Sequence, residues 1–366
     1  MSPLLIVDDD LSICLGIAEA FVSPREVIVC RDIESAEMVL EKTRPSHVVS
    51  DVKLSGPFRF EGLDFVDYVR NRSPGTPVIL ITGNPADGLE AEALRRGVLA
   101  VLTKPFAIEE LESLLGPAPG DAGATTVVPT MADVLSSADM TAVFQPIVSL
   151  ATRRPIGFES LARLPGAPLL GNPELLFRYA ARKGRVVELE LACLARSMEM
   201  AAAMTRSHLL FMNIHPDAVA DARLTDAVVS IAERFDVALE RVVLEITEQQ
   251  RLASQPSLLA NLQELRALGL RFAIDDFGSA YSHLALIEKI EPVFLKVSQD
   301  FGTDFEKIDT REKIVRNVQS LARDFGARVI VEGIESEATA SAAQERGIAF
   351  GQGYHFGRPA DLRTFF

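Results

Sequence analysis

The sequence predicts an α/β protein of two domains, a doubly wound (flavodoxin-like) sheet followed by a (β/α)8, TIM-like barrel. Three observations carry this reading. Short, almost continuously apolar runs alternate with helical patterns along the chain, as buried parallel strands and their crossover helices do. The stretch GPAPGDAGATTVVPT at 116–130 interrupts the alternation with little to bury, so a linker is expected over 117–130, between domains at 1–116 and 131–366. Acidic residues stand at strand ends on both sides of it, where parallel sheets and barrels place their chemistry.

In order, the first domain is expected to place strands at Leu4–Val7, Val27–Val29, His47–Ser50, Val78–Ile81 and Leu99–Leu102. Leu63, Val66 and Val69 show helical spacing between two of them, and Ile108–Leu115 makes a short closing helix. The second domain offers eight strands: Phe144–Leu150, Gly157–Arg163, Leu209–Ile214, Val242–Ile246, Phe272–Asp275, Phe294–Val297, Val329–Glu332 and Gly353–Phe356. Ile314, Val318, Leu321 and Phe325 form one clear apolar helix face. About 235 residues with this alternation suit a barrel.

Composition narrows the function. At 366 residues, 48% hydrophobic and 24% charged, the chain is an ordinary globular protein long enough for two cores. A net charge of -14 argues against general affinity for DNA or an anionic membrane. The start, MSPLLIVDDD, has no signal-peptide pattern, and no apolar run is long enough to cross a bilayer. Cys14, Cys30 and Cys193 have no metal-ligand spacing, and a reducing cytoplasm is the expected location.

Asp8 and Asp9 follow the first strand, Asp51 ends the third, Thr82 follows the fourth and Lys104 follows the fifth. In a doubly wound sheet these positions meet at the carboxyl edge. Three carboxylates there can hold one Mg2+, which lets Asp51 accept a phosphoryl group while a hydroxyl and an ammonium sense the added charge. This region resembles a response-regulator receiver domain. The resemblance implies Asp51 as phosphoacceptor, Asp8 and Asp9 as Mg2+ ligands with it, Thr82 and Lys104 as switch residues, and a cognate histidine kinase as partner. Val101 stands where such domains usually carry an aromatic residue, three before the lysine, and the segment after Asp51, KLSGPFRFEGLDF, is longer than usual.

In the second domain Glu159, Asn213, Glu245, the adjacent Asp275 and Asp276, Glu332 and Glu335 recur at one strand end after another. Adjacent side chains on a strand point to opposite faces, so both aspartates reach one ligand only where the strand gives way to a loop. Carboxylates and an amide, with no His or Cys among them, make an all-oxygen site suited to Mg2+ or Mn2+. Two such ions would bridge a phosphate and supply hydroxide, with Lys296 stabilising the attacking water or developing charge. Capped helix starts and surface acids are the plainer explanation, but nearly all these residues end apolar strands at the same end.

FQPIVSL, ESLAR, NIHP, EITE, DDFG, LKV, VEGIES and GQGYHFGRP, in this order, resemble an EAL-type phosphodiesterase for cyclic di-GMP. The resemblance implies cleavage of cyclic di-GMP to linear pGpG with two divalent metals held by Glu159, Asn213, Glu245, Asp275, Asp276 and Glu332. It further implies that Lys296, Glu335 and Gln352 position the nucleophilic water or groups around it, with Asp276 also catalytic. Gln145 and Arg163 would contact the dinucleotide, Arg163 as a phosphate fork. Glu248 would brace the DDFG loop, which in this family links the active site to dimerisation, so a homodimer or larger assembly is implied.

This chain departs from the family at three places. The signature reads Glu-Ser-Leu, a small-for-small change; Ser298 replaces the aspartate of the family's Lys-x-Asp motif; and Ala280 replaces the second glycine of the DDFG loop. His215 and His283 are read as loop or supporting residues, not ligands. The rival function is a catalytically weak or inactive barrel that serves as a receptor for cyclic di-GMP or as a protein-interaction module. No GGDEF-like cyclase signature occurs, and no basic helix-turn-helix region supports a DNA-binding output.

Overall fold

The computed structural model describes residues 2–21, 25–54, 61–83, 87–116, 123–167, 169–202, 204, 207–247, 256–277 and 284–366. Two compact units emerge, one of residues 1–138 with 166–185 and the other of residues 139–165 with 186–366. Among the described residues no helix is long and apolar enough to cross a membrane.

The first unit is built on β1 (Leu4–Val7), β2 (Val27–Cys30), β3 (His47–Asp51), β4 (Val78–Thr82), β5 (Ala100–Thr103) and β6 (Thr125–Val127). The order across the sheet is β5-β4-β3-β1-β2-β6, parallel throughout. β1, β2 and β4 are buried along their whole length, which is why they read as uninterrupted apolar runs. The order reverses between β1 and β3, and the carboxyl edge at that point is a natural crevice. β6 comes from the stretch read as a linker. TTV carries β-branched residues and pairs in parallel with β2, Val27 opposite Thr125.

Residues 166–185 cluster with this unit through the helix Pro173–Arg182. Arg182 reaches Glu37 and Glu41 at 2.9 Å each, Arg178 reaches Glu41 at 2.8 Å, and Lys183 reaches Glu34 at 2.8 Å. Such partly exposed pairs contribute about 1 kcal/mol or less apiece. Tyr179 is the firmer anchor: it is fully buried, and its hydroxyl donates to Asp32 Oδ2 at 2.7 Å and accepts from the Met131 N–H. Asp32 at the same time caps the helix Ile33–Lys42, accepting from the Ser35 N–H.

The second unit is a closed eight-stranded barrel of β7 (Thr141–Ser149), β8 (Pro155–Arg163), β9 (Leu209–Asn213), β10 (Val242–Thr247), β11 (Arg271–Phe277), β12 (Phe294–Val297), β13 (Arg328–Val331) and β14 (Phe350–Gln352). Seven strands run parallel, but β7 is antiparallel to both β8 and β14. The signal for this was present: only residues 150–154 separate β7 from β8, too few for a crossover helix. The last strand lies earlier than the expected Gly353–Phe356, so Gln352 rather than the residues after it ends the strand. Outward side chains such as Leu244, Ile246, Phe272 and Leu295 pack with Leu194, Val228, Leu262 and Val318 of the surrounding helices. Inside, Ile147, Phe211, Val243, Ala273, Phe294, Ile330 and Phe350 close the barrel floor. The Arg328 guanidinium stacks on the Phe294 and Phe350 rings at 4.9 and 5.0 Å.

The helix Val186–Ala201 buries one carboxyl, Glu190, whose Oε2 accepts from the His215 backbone N–H at 3.1 Å. Burial pushes its pKa up to about 8. Because the folded-state value lies above the unfolded value of about 4.3, the stability linked to this group is whole below about pH 4 and is lost as pH rises through 8. Glu190→Gln cannot ionise and should flatten the decline in stability between about pH 5 and pH 8 by roughly 1.4 kcal/mol per pH unit. Denaturant unfolding over that range checks this, and parallel curves for parent and variant would reject the raised value.

Candidate active site

The inward residues of the barrel fall into two layers, because a strand returns to the same face every second residue. Two positions beyond the floor residues Phe211, Val243, Ala273, Phe294, Ile330 and Phe350 stand Asn213, Glu245, Asp275, Lys296, Glu332 and Gln352. Gly157 precedes Glu159 by the same step, and on the reversed β7 Gln145 lies two residues before Ile147, directly opposite Glu159. The expected residues Gln145, Glu159, Asn213, Glu245, Asp275, Lys296, Glu332 and Gln352 thus form one polar layer over an apolar floor.

Lys296 is the centre of that layer and is wholly buried. Its Nζ lies 3.3 Å from Glu159 Oε2, 3.1 Å from Glu245 Oε1, 3.1 Å from Asp275 Oδ1 and 2.9 Å from Glu332 Oε1. An ammonium has three hydrogens, so it cannot satisfy four carboxylates. Glu245 Oε1 and Asp275 Oδ1, though within ion-pair reach, are buried without an aligned hydrogen-bond partner, as is Gln352 Oε1. Oxygens of Glu159, Glu245 and Asp275 lie within 4.8 Å of one another. A converging all-oxygen set with unmet buried lone pairs fits a hard divalent cation such as Mg2+ or Mn2+.

The electrostatics divide the four acids. Burial raises the Glu245 and Asp275 pKa values and pushes Glu332 up to about 8, against the opposing charge of Lys296. Glu159 goes the other way: burial disfavours its charge, but Lys296, the Gln352 amide at 2.6 Å and the Asn213 amide at 3.0 Å hold it below the usual range. Burial opposes the charge on Lys296 as well, yet its carboxylate neighbours hold its pKa well above the ordinary value.

β11 does not end at its carboxylates as expected. It continues to Phe277 with a register shift against β12, and Asp276 takes a left-handed φ of +53°. The bulge supplies what a strand end was expected to supply, turning Asp275 to Lys296 while Asp276 lines the cavity above. That cavity, of about 380 Å3, is also lined by Gln145, Glu159, Arg163, Glu332, Glu335 and Gln352, with Glu335 exposed at its mouth. Gln299, Leu161, Tyr354 and Pro359 join them without having been singled out from sequence. Tyr354 was within reach, because it sits in GQGYHFGRP beside Gln352; its half-exposed ring carries the Arg358 guanidinium at 4.1 Å. Glu248, Ala280 and His283 lie outside the described residues. His215 caps the short helix Pro216–Val219 with Nδ1, as befits a loop residue.

Ser298 has a local explanation. Its hydroxyl accepts from the Asp300 N–H and caps the short helix Gln299–Gly302. A Cβ at Gly302 would lie 2.0 Å from the Glu332 carbonyl oxygen, so only glycine lets that helix pack against the turn carrying Glu332.

In the first unit Asp8, Asp9 and Asp51 bring carboxylate oxygens within 4.8 Å of one another. Lys104 Nζ lies 2.6 Å from Asp8 and 3.0 Å from Asp51. Burial raises the Asp8 pKa; it works against the Lys104 charge, but the two carboxylates win and raise that pKa too. Thr82 is buried at the end of β4, and Val101 is half-buried on β5.

Comparison with known proteins finds a family for each of the two regions. Residues 130–359 match the EAL domain family and residues 4–115 match the response regulator receiver domain. The chain is 28% identical over 370 residues to the cyclic di-GMP phosphodiesterase RocR of Pseudomonas aeruginosa, covering 94% of this chain and 92% of that protein. It is 27% identical over 222 residues to the cyclic di-GMP phosphodiesterase PdeF of Escherichia coli K12, covering 60% of this chain but only 30% of that protein. Among solved structures, the manganese and cyclic di-GMP complex of Klebsiella pneumoniae BlrP1 at pH 6 aligns with a TM-score of 0.56 at 27% identity, over 62% of this chain and 57% of that one.

Replacing Lys296 with Met leaves the acid cluster without its cation. In chelator, where no divalent ion can take over, Lys296→Met should lose roughly 3–5 kcal/mol of stability. Unfolding midpoints equal to the parent's would show that the ammonium does not hold the layer together.

Proposed function

The chain belongs to the EAL domain family, with a response regulator receiver domain ahead of it, and from this we propose that it hydrolyses one phosphodiester of cyclic di-GMP to linear pGpG under the control of phosphorylation at Asp51. The observation that carries the reading is the acid layer around Lys296, with buried oxygens that have no hydrogen-bond partner among the described residues. The receiver at 1–116, the linker at 117–130 and the barrel at 131–366 are the proposed functional divisions.

Glu159, Asn213, Glu245, Asp275, Asp276 and Glu332 would hold two divalent ions, Mg2+ or Mn2+. Bound there, such ions would supply Lewis-acid polarisation of the phosphate and would lower the pKa of a water. The chain's own residues do the rest. Glu159 stays ionised and so stays a ligand. Lys296 carries a fixed positive charge aimed at the polar layer, which favours negative charge developing on the phosphate. Gln352 bridges Glu159 and Gln145, holding both at the rim. Arg163 and Gln145 line the cavity where a phosphate and a base would enter, and Glu335 stands at its mouth to position water. Glu248 is proposed to brace the DDFG loop, and a dimer or larger assembly to form through the barrel. In the receiver, Asp8, Asp9 and Asp51 would hold one Mg2+, Asp51 would accept the phosphoryl group from a histidine kinase, and Thr82 and Lys104 would contact it.

A second reading is favoured by Ser298, where the family's motif has a carboxylate: a receptor that binds cyclic di-GMP without cleaving it. The deciding experiment incubates the protein with cyclic di-GMP and Mg2+ or Mn2+ and follows pGpG by chromatography. Metal-dependent product is expected, and tight binding without product would replace the enzyme with the receptor. Asp275→Asn should lower turnover by at least about 100-fold, and unchanged turnover would sink the two-metal site. Asp51→Ala should abolish phosphoryl labelling from a small-molecule phosphodonor; labelling at the parent's stoichiometry would move the acceptor elsewhere.

A further inference from the structure

We infer that the segment at 166–185 is the tether through which the receiver acts on the barrel cavity, an inference that rests on the phosphorylation control proposed above. The chain enters this segment three residues after Arg163, which lines the cavity, and leaves it directly into the helix Val186–Ala201. In between it clusters with the first unit, although it lies within the residues that match the EAL family.

Two helices of the first unit hold the segment, and each is rooted near the acid pocket. Helix Ile33–Lys42 presents Glu34, Glu37 and Glu41, spaced three and four apart and so on one face, to Lys183, Arg182 and Arg178. It follows β2, where the Cys30 carbonyl accepts from the Asp8 N–H at 3.1 Å. Arg182 also hydrogen-bonds Tyr68 of the helix Glu61–Arg72. That helix starts against the phosphoacceptor, since a Cβ at Gly62 would lie 2.3 Å from the Asp51 carbonyl oxygen. Tyr179 completes the anchor by donating to Asp32 at 2.7 Å. Parting the two would leave the buried Tyr179 hydroxyl without its acceptor, at about 1–3 kcal/mol, so the helix Pro173–Arg182 moves with this face instead of detaching.

The ends allow little slack. Three Cα steps of about 3.8 Å separate Arg163 from Gly166, a reach of about 11 Å. Leu164, Ala167 and Leu170 are buried, so this arm is no free loop. At the other end the N–H groups of Lys183, Gly184 and Arg185 donate back to the Tyr179, Ala181 and Ala180 carbonyls, with Gly184 at a left-handed φ of +63°. Movement of the helix is therefore delivered to Arg163.

The test is hydrogen exchange of the full chain in Mg2+, with and without beryllofluoride as a stand-in for the phosphoryl group. In the parent, beryllofluoride should change exchange around Asp51, across 173–182 and at 159–165. Arg178→Glu with Arg182→Glu should keep the change at Asp51 and lose it at 159–165, and adding Glu37→Arg with Glu41→Arg should restore it. The affinity for cyclic di-GMP, read as KM where product forms and as Kd where it does not, should shift with beryllofluoride in the parent and the charge-swapped variant but not in the reversed one. A change at Asp51 that fails to reach 159–165 in the parent, or that still reaches it in the reversed variant, would overturn the tether alone. No change at Asp51 itself would overturn phosphorylation there, and the tether with it.

Discussion

An ammonium sealed among four carboxylates is the constraint on which the barrel depends. Neither sign could be buried alone at this depth, because the penalty for an unpaired charge far exceeds what packing can offset. The apolar floor beneath keeps water out from below and so strengthens every charge interaction in the layer above. It also explains why the remaining members of the layer are amides. Asn213, Gln145 and Gln352 add donors without adding charge, and the donors of Asn213 and Gln352 converge on Glu159. One carboxylate is thereby kept ionised while burial raises the others, an asymmetry produced by position in an otherwise similar ring.

The reversed strand belongs to the same constraint. Running antiparallel to β8, β7 presents Gln145 to the layer from a residue that precedes its floor residue Ile147 instead of following it. The pairing puts Gln145 opposite Glu159, and Gln352 at the end of β14 joins the two. The barrel closes through an element whose polar contribution to the layer, Gln145, is neutral.

Much of this was legible because strand ends announce themselves. Apolar runs of four to seven residues ending in Asp, Glu, Asn or Lys gave most strand positions to within a residue or two, and the side chains so marked do converge. What stayed hidden was geometry that a one-dimensional pattern does not carry. Asp275 and Asp276 looked like a strand end, whereas a bulge with a left-handed Asp276 resolves their opposed directions within the strand. Thr125–Val127 looked like linker because its neighbours are glycine, proline and alanine, and only the free edge of β2 makes a strand of it. Glu190 gave no sign at all, since an acid in a helical stretch, here close to Glu188, reads as part of a solvated face until its burial is known.

Ser298 is where sequence and structure pull in different directions. By position on the strand it is an absence, a carboxylate missing two residues beyond Lys296. By local structure it is a presence, an N-cap that starts Gln299–Gly302, the helix that Gly302 then packs against the backbone of Glu332. Serine and aspartate are nearly equal as N-caps, so exchanging one for the other leaves the helix and the turn in place. What changes is charge. An aspartate there would carry a negative charge at the cap, and serine fills the cap as a neutral group while keeping the scaffold that holds Glu332. The substitution therefore changes the charge at this cap and keeps the packing of Gly302 against the Glu332 backbone.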